Sequence, residues 1–92
     1  MKRDEILDTA AKITKGERET QYGGPEDNFR KIAELWSAYL SKGEDVFLTA
    51  EDVAVMMILF KVGRLTTGGG SADTWVDIAG YAACGGEIAT KV

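Results

Sequence analysis

The sequence predicts an all-α protein, a bundle of four helices. Three observations carry that prediction. Apolar residues recur at spacings of three and four along most of the chain. Strong breakers interrupt the pattern at Tyr22-Gly23-Gly24-Pro25, between Ser41 and Phe47, and between Thr66 and Ala72. Strict two-residue alternation is absent, and Val46-Phe47-Leu48 is too short to read as a strand. With 92 residues the chain is expected to make one domain.

The first helix is expected from Lys2 to Thr14. Ile6, Leu7, Ala10, Ala11 and Ile13 form its apolar stripe, and Gly16 is placed to end it. Two glycines before Pro25 stop any continuation, and Pro25 suits the first position of a new helix. Glu26 and Asp27 then meet the positive end of its dipole. The second helix is expected to run from Pro25 to Ser41, with Phe29, Ile32, Ala33, Leu35, Trp36, Tyr39 and Leu40 on a broad apolar face.

Thr49 followed by Asp52 is close to a capping box and opens the third helix, Ala50–Leu65. From Val53 onward this helix is apolar almost all round, so it is expected at the centre, covered on several sides. Gly63 costs a helix roughly 1 kcal/mol against alanine, so close packing is its expected use. Thr66 to Ala72 reads as a flexible polar loop, with Ser71 or Asp73 capping a fourth helix, Asp73–Ala89. Gly80, Ala82, Ala83, Cys84, Gly85 and Gly86 permit close approach of another helix.

Composition removes several functions. Net charge is −4, from 11 basic and 15 acidic residues, which argues against general nucleic-acid binding. There is no histidine, so histidine catalysis and histidine metal sites are excluded. The single Cys84 has no second cysteine to bridge and reads as a small buried hydrophobe. No run is long enough to cross a membrane, and Met-Lys-Arg-Asp-Glu is not the start of a signal peptide. A cytoplasmic protein is expected. A chain this short buries a modest core, so a homo-oligomer is expected as well.

The candidate site begins with Asp77, a carboxylate inside an apolar helical segment. At helical spacing Asp73, Asp77 and Tyr81 share one face. A buried carboxylate needs a partner. Lys61 and Arg64, one turn apart on the preceding helix, supply two cations. They pair with the aspartates, or they form a basic pocket for phosphate, with Arg64 as a bidentate donor. Arg18, Tyr22, Gly23 and Asn28 surround the Gly-Gly-Pro break, where a helix N-terminus suits an anion. Trp36, Tyr39, Trp75 and Tyr81 offer rings for a planar base or for the core. Asp73 and Asp77, joined by Glu51 or Asp52, would offer oxygen ligands for Mg²⁺.

Three blocks in order, Arg18 to Phe29, Asp52 to Leu65 and Asp73 to Tyr81, resemble a small uncharacterised family of phage and prophage proteins. Their Tyr-Gly, Lys-x-x-Arg and Asp-x-x-x-Tyr elements are similar to a phage nucleotide-modification-associated domain. More distantly, they are similar to the MazG-like all-α nucleotide pyrophosphohydrolases. The resemblance implies an oligomeric helical bundle that handles nucleotides. MazG-like enzymes hold Mg²⁺ with a Glu-x-x-Glu pair and a Glu-x-x-Asp pair. This sequence has no Glu-x-x-Glu and carries Lys61-x-x-Arg64 on its central helix.

The expected function is therefore binding. A phage-type protein would sequester a phosphate-bearing, defence-signalling nucleotide as a sponge. Arg18, Lys61 and Arg64 would hold phosphates, Asn28 and Asp77 would orient ribose or base, and Tyr22, Trp75 or Tyr81 would stack. No cofactor is needed for that role. The alternatives are a Mg²⁺-dependent nucleoside triphosphate pyrophosphohydrolase, with metal on Asp73, Asp77, Glu51 and Asp52, and a structural or partner-binding helical protein.

Overall fold

The computed structural model describes residues 1–15 and 24–90. These form four helices: α1 (Arg3–Lys15), α2 (Pro25–Leu40), α3 (Ala50–Thr66) and α4 (Ala72–Ala89). There is no strand among the described residues. Each boundary lies within one residue of the expected one.

The ends follow from local chemistry. Pro25 occupies the first turn of α2, behind an extended Gly24. Thr49 and Asp52 make the full capping box of α3. The Asp52 N–H donates to Thr49 Oγ1 at 3.2 Å, and the Thr49 N–H donates to Asp52 Oδ2 at 2.9 Å. At α4 the Ser71 N–H donates to Thr74 Oγ1 at 3.4 Å, while the Ser71 carbonyl accepts from Thr74 and Trp75. Between α2 and α3 two serines pin an extended connector. Ser41 Oγ accepts from the Val46 N–H at 3.0 Å, and Ser37 Oγ accepts from the Leu48 N–H at 2.9 Å.

The core lies where α2, α3 and α4 meet. Phe29 and Ala33 from α2 pack with Val53 and Ala54 from α3, and Tyr81, Cys84 and Ile88 from α4 close over them. α4 packs most extensively on α3, α2 packs on α3, and α1 leans on α4. Two close contacts set the register of α3 against α4. Lys61 meets Asp77, and Ala54 lies so near Gly85 that a Cβ on Gly85 would fall 2.9 Å from the Ala54 Cβ. Both pairs fit one antiparallel alignment. The close approach expected of the fourth helix is thus used inside the chain, at Gly85 on Ala54 and at Gly80 beside Thr14 of α1.

The third helix departs from expectation. α2 and α4 cover one side of it, but Val55, Leu59, Phe60 and Val62 remain exposed. Gly63 stands on that outer side, with nothing among the described residues of the other helices within 4 Å of where a Cβ would be. Among the described residues, a helix apolar all round has neighbours on one side only.

Candidate functional site

The end of α3 carries Phe60, Lys61 and Arg64, and the two cations have different surroundings. Lys61 points inward between α3 and α4. Its Nζ lies 2.9 Å from Asp77 Oδ2, with the side chains 17% and 36% exposed. Asp77 therefore has a partner, and that partner is Lys61. The expected pairing of Arg64 with Asp77 is not made, because the register of the two helices sets Lys61 opposite the aspartate and turns Arg64 outward.

Arg64 is exposed, and its guanidinium carbon lies 5.2 Å from the centroid of the Phe60 ring. Lys61 Nζ is 5.8 Å from the same centroid. Among the described residues Arg64 makes no ion pair. Contact with an aromatic face steadies a cation without neutralising it. The guanidinium is exposed beside that ring.

From Asp77 the site continues along α4. Tyr81 is one turn on, and its ring meets that of Phe29 at a centroid distance of 6.2 Å and an angle of 39°. Asn28, half-buried, precedes Phe29 at the start of α2, and its N–H donates to the Gly24 carbonyl at 3.2 Å. Lys61 thus pairs with Asp77 between α3 and α4, and Tyr81, one turn on from Asp77, meets Phe29 of α2, the residue after Asn28. Arg18, Tyr22 and Gly23, expected beside Asn28, lie outside the described residues.

Other expected members are not brought in. Trp75 is two positions before Asp77, which at about 100° per residue sets it on the opposite side of α4, and it is exposed. Trp36 is packed against the core. Tyr39 is exposed on α2, where Lys42 Nζ sits 4.2 Å from its ring centroid. The four-carboxylate metal set is not assembled. Asp52 is occupied in its capping box at the start of α3, with Glu51 beside it. Lys61, the residue opposite Asp77, is about 14 Å further along the helix axis at 1.5 Å per residue. Asp73 is exposed. Among the described residues no three His, Cys, Asp or Glu side chains converge on a point that could hold a metal ion.

One residue of the cluster escaped the sequence reading: Phe60. Its signal was present, since Phe60 and Arg64 stand four apart, the helical spacing that lets side chains meet. It was lost in an apolar run where every residue looked like core.

Among the described residues no helix is long and apolar enough to cross a membrane. Comparison with known proteins adds two mycobacteriophage relatives. The chain is 52% identical to the Gene 55 protein of Mycobacterium phage L5 over 77 residues, covering 84% of this chain and 47% of that protein. It is 42% identical to the Gene 55 protein of Mycobacterium phage D29 over 81 residues, covering 88% of this chain and 51% of that protein. The chain therefore spans about half the length of the curated relatives it matches. No solved structure matches it. The family described as "Domain of unknown function (DUF6378)" matches residues 5–89, nearly the whole chain, and the protein belongs to that family.

Proposed function

We propose that this protein binds a phosphate-bearing nucleotide and holds it without turning it over. The observation that carries the reading is the Arg64 guanidinium, exposed, charged and steadied on Phe60 beside a Lys61 that Asp77 has already neutralised. Such a group offers a fork of N–H donors that fits two phosphate oxygens at once. The exposed Phe60 ring supplies an apolar face next to it for a base or sugar. Asn28, Asp77 and Tyr81 would orient the remainder of the ligand, with Arg18, Tyr22 and Gly23 contributing from the preceding segment. Trp75 has no part in this pocket.

Binding is favoured over hydrolysis because the carboxylates that would hold Mg²⁺ stand apart along α3 and α4. In the phage setting that the relatives supply, the role we propose is sequestration: a sponge for a host signalling nucleotide in the host cytoplasm, built on a MazG-like helical frame that acts as a homo-oligomer. A thermal-shift panel of mono-, di-, tri- and cyclic nucleotides, with and without Mg²⁺, tests it. At least one nucleotide should raise the melting temperature without Mg²⁺ and be recovered intact by chromatography. In calorimetric titration Arg64→Ala should weaken that ligand by about 1.5–3 kcal/mol, the size of a charged hydrogen bond, or roughly 10- to 150-fold. Recovery of a monophosphate and pyrophosphate would establish the enzyme instead. No shift with any nucleotide would leave the structural reading.

A further inference from the structure

We propose that Asp77 competes with the ligand for Lys61, and that this competition makes the site select two linked phosphates over one. The inference rests on the reading of Arg64 as a phosphate donor and names the ligand class which that reading leaves open.

Lys61 and Arg64 are three residues apart on α3, the spacing of neighbours on a helix surface. At about 100° per residue both stand on the same flank of Phe60, about 100° and 40° round the helix from it. Both reach its ring. Lys61 Nζ is 5.8 Å from the ring centroid, and the Arg64 guanidinium carbon is 5.2 Å from it. The two cations therefore border one space. Their charges are not equally available there. Lys61 Nζ lies 2.9 Å from Asp77 Oδ2, whereas Arg64 makes no ion pair among the described residues.

The chemistry of the Lys61–Asp77 pair lets it open. A lysine ammonium is a point charge on a flexible stem, with three donors of which this bond uses one. The Asp77 side chain is 36% exposed, so once released it meets water or a ligand hydroxyl instead of being stranded in an apolar interior. The helices do not come apart with it, because Gly85 on Ala54 holds α3 against α4 further along. A ligand shifts such an equilibrium only by what it gains in one state over the other. One phosphate engages the Arg64 fork and gains little by moving Lys61. A second phosphate linked to the first lies within reach of the ammonium and draws it from the carboxylate. Asp77 thus keeps Lys61 masked against single phosphates and yields it to a diphosphate.

Calorimetric titration with inorganic orthophosphate and inorganic pyrophosphate, without Mg²⁺ and at physiological ionic strength, tests this. Pyrophosphate should bind at least about tenfold more tightly, the effect of one further charged hydrogen bond. Lys61→Met should remove most of that preference, and Arg64→Ala should weaken both anions. Asp77→Asn keeps the shape of the side chain and removes the competitor, so it should tighten pyrophosphate binding. Asp73→Asn is the control. It removes the same charge from an exposed position one turn earlier, where screening should hold the change to under about twofold. Melting curves establish that each variant is folded, and the Asp77→Asn result stands even if Lys61→Met does not fold. Equal affinity for the two anions, a preference that survives Lys61→Met, no gain in Asp77→Asn, or an equal gain in Asp73→Asn would each overturn the proposal. A nucleotide that binds regardless of its phosphate number and of Lys61 would overturn this proposal and leave the nucleotide reading standing. Selective pyrophosphate binding with no nucleotide bound would do the reverse.

Discussion

Lys61 and Arg64 are one turn apart and carry the same charge, yet the structure assigns them different work. Lys61 is mostly buried and neutralised by Asp77, so its loss strands a carboxylate between two helices. Removing one partner of a fully buried pair costs about 3–5 kcal/mol, and the partial exposure of Asp77 lowers the expectation to about 1–2 kcal/mol. Lys61→Met should therefore show a clear loss in urea denaturation, and Lys61→Met with Asp77→Leu should recover most of it. Arg64→Ala removes an exposed contact with Phe60 and should cost under about 1 kcal/mol. Equal losses for the two single variants would contradict the assignment. The sequence marked both cations and the aspartate as a group. Which cation reaches the aspartate depends on how far α3 is rotated toward α4, and no local pattern records that rotation.

At the scale of the helices, two glycines make opposite predictions. Gly85 sits against Ala54, which is buried, and an added Cβ would lie 2.9 Å from another Cβ. That distance is too short for van der Waals contact, and a methyl group fixed to a backbone cannot swing away. Gly85→Ala gains roughly 1 kcal/mol of helix propensity but forces α3 and α4 apart, so a net loss of about 1–2 kcal/mol is expected. Gly63→Ala meets nothing among the described residues and should stabilise the isolated fold by about 0.5–1 kcal/mol. Chemical denaturation of both variants at low protein concentration checks the signs. The sequence placed both glycines on helices and assigned close packing to each region. It did not separate the glycine that packs within the chain from the one that does not.

At the scale of the molecule, the radius of gyration is 14.3 Å, against about 12 Å expected for a compact domain of this length. The excess fits a fold in which three helices share a core and the fourth is attached at one side. α1 contributes a single buried residue, Ala10, and leaves Leu7 and Ile13 exposed. An element with so little burial opens without the rest unfolding. Hydrogen exchange should show α1 amides at least about tenfold less protected than those in the middle of α3 and α4. Equal protection would mean that α1 belongs to the same cooperative unit.

Helix ends and helix order were legible in the sequence because they depend on neighbours a few residues apart. Pro25 opens α2, Thr49 and Asp52 cap α3, and the three-and-four spacing of apolar residues does the rest. The meeting of Lys61 with Asp77 was also legible in part, since charges inside apolar runs need company. Three matters were settled only by the tertiary arrangement: that Lys61 and not Arg64 meets Asp77, that Glu51 and Asp52 stand far from Asp77, and that α3 keeps one apolar face uncovered. Each depends on the register and rotation of one helix against another. Those are set by the sum of weak contacts across the whole interface, and the same local sequence is compatible with more than one such sum.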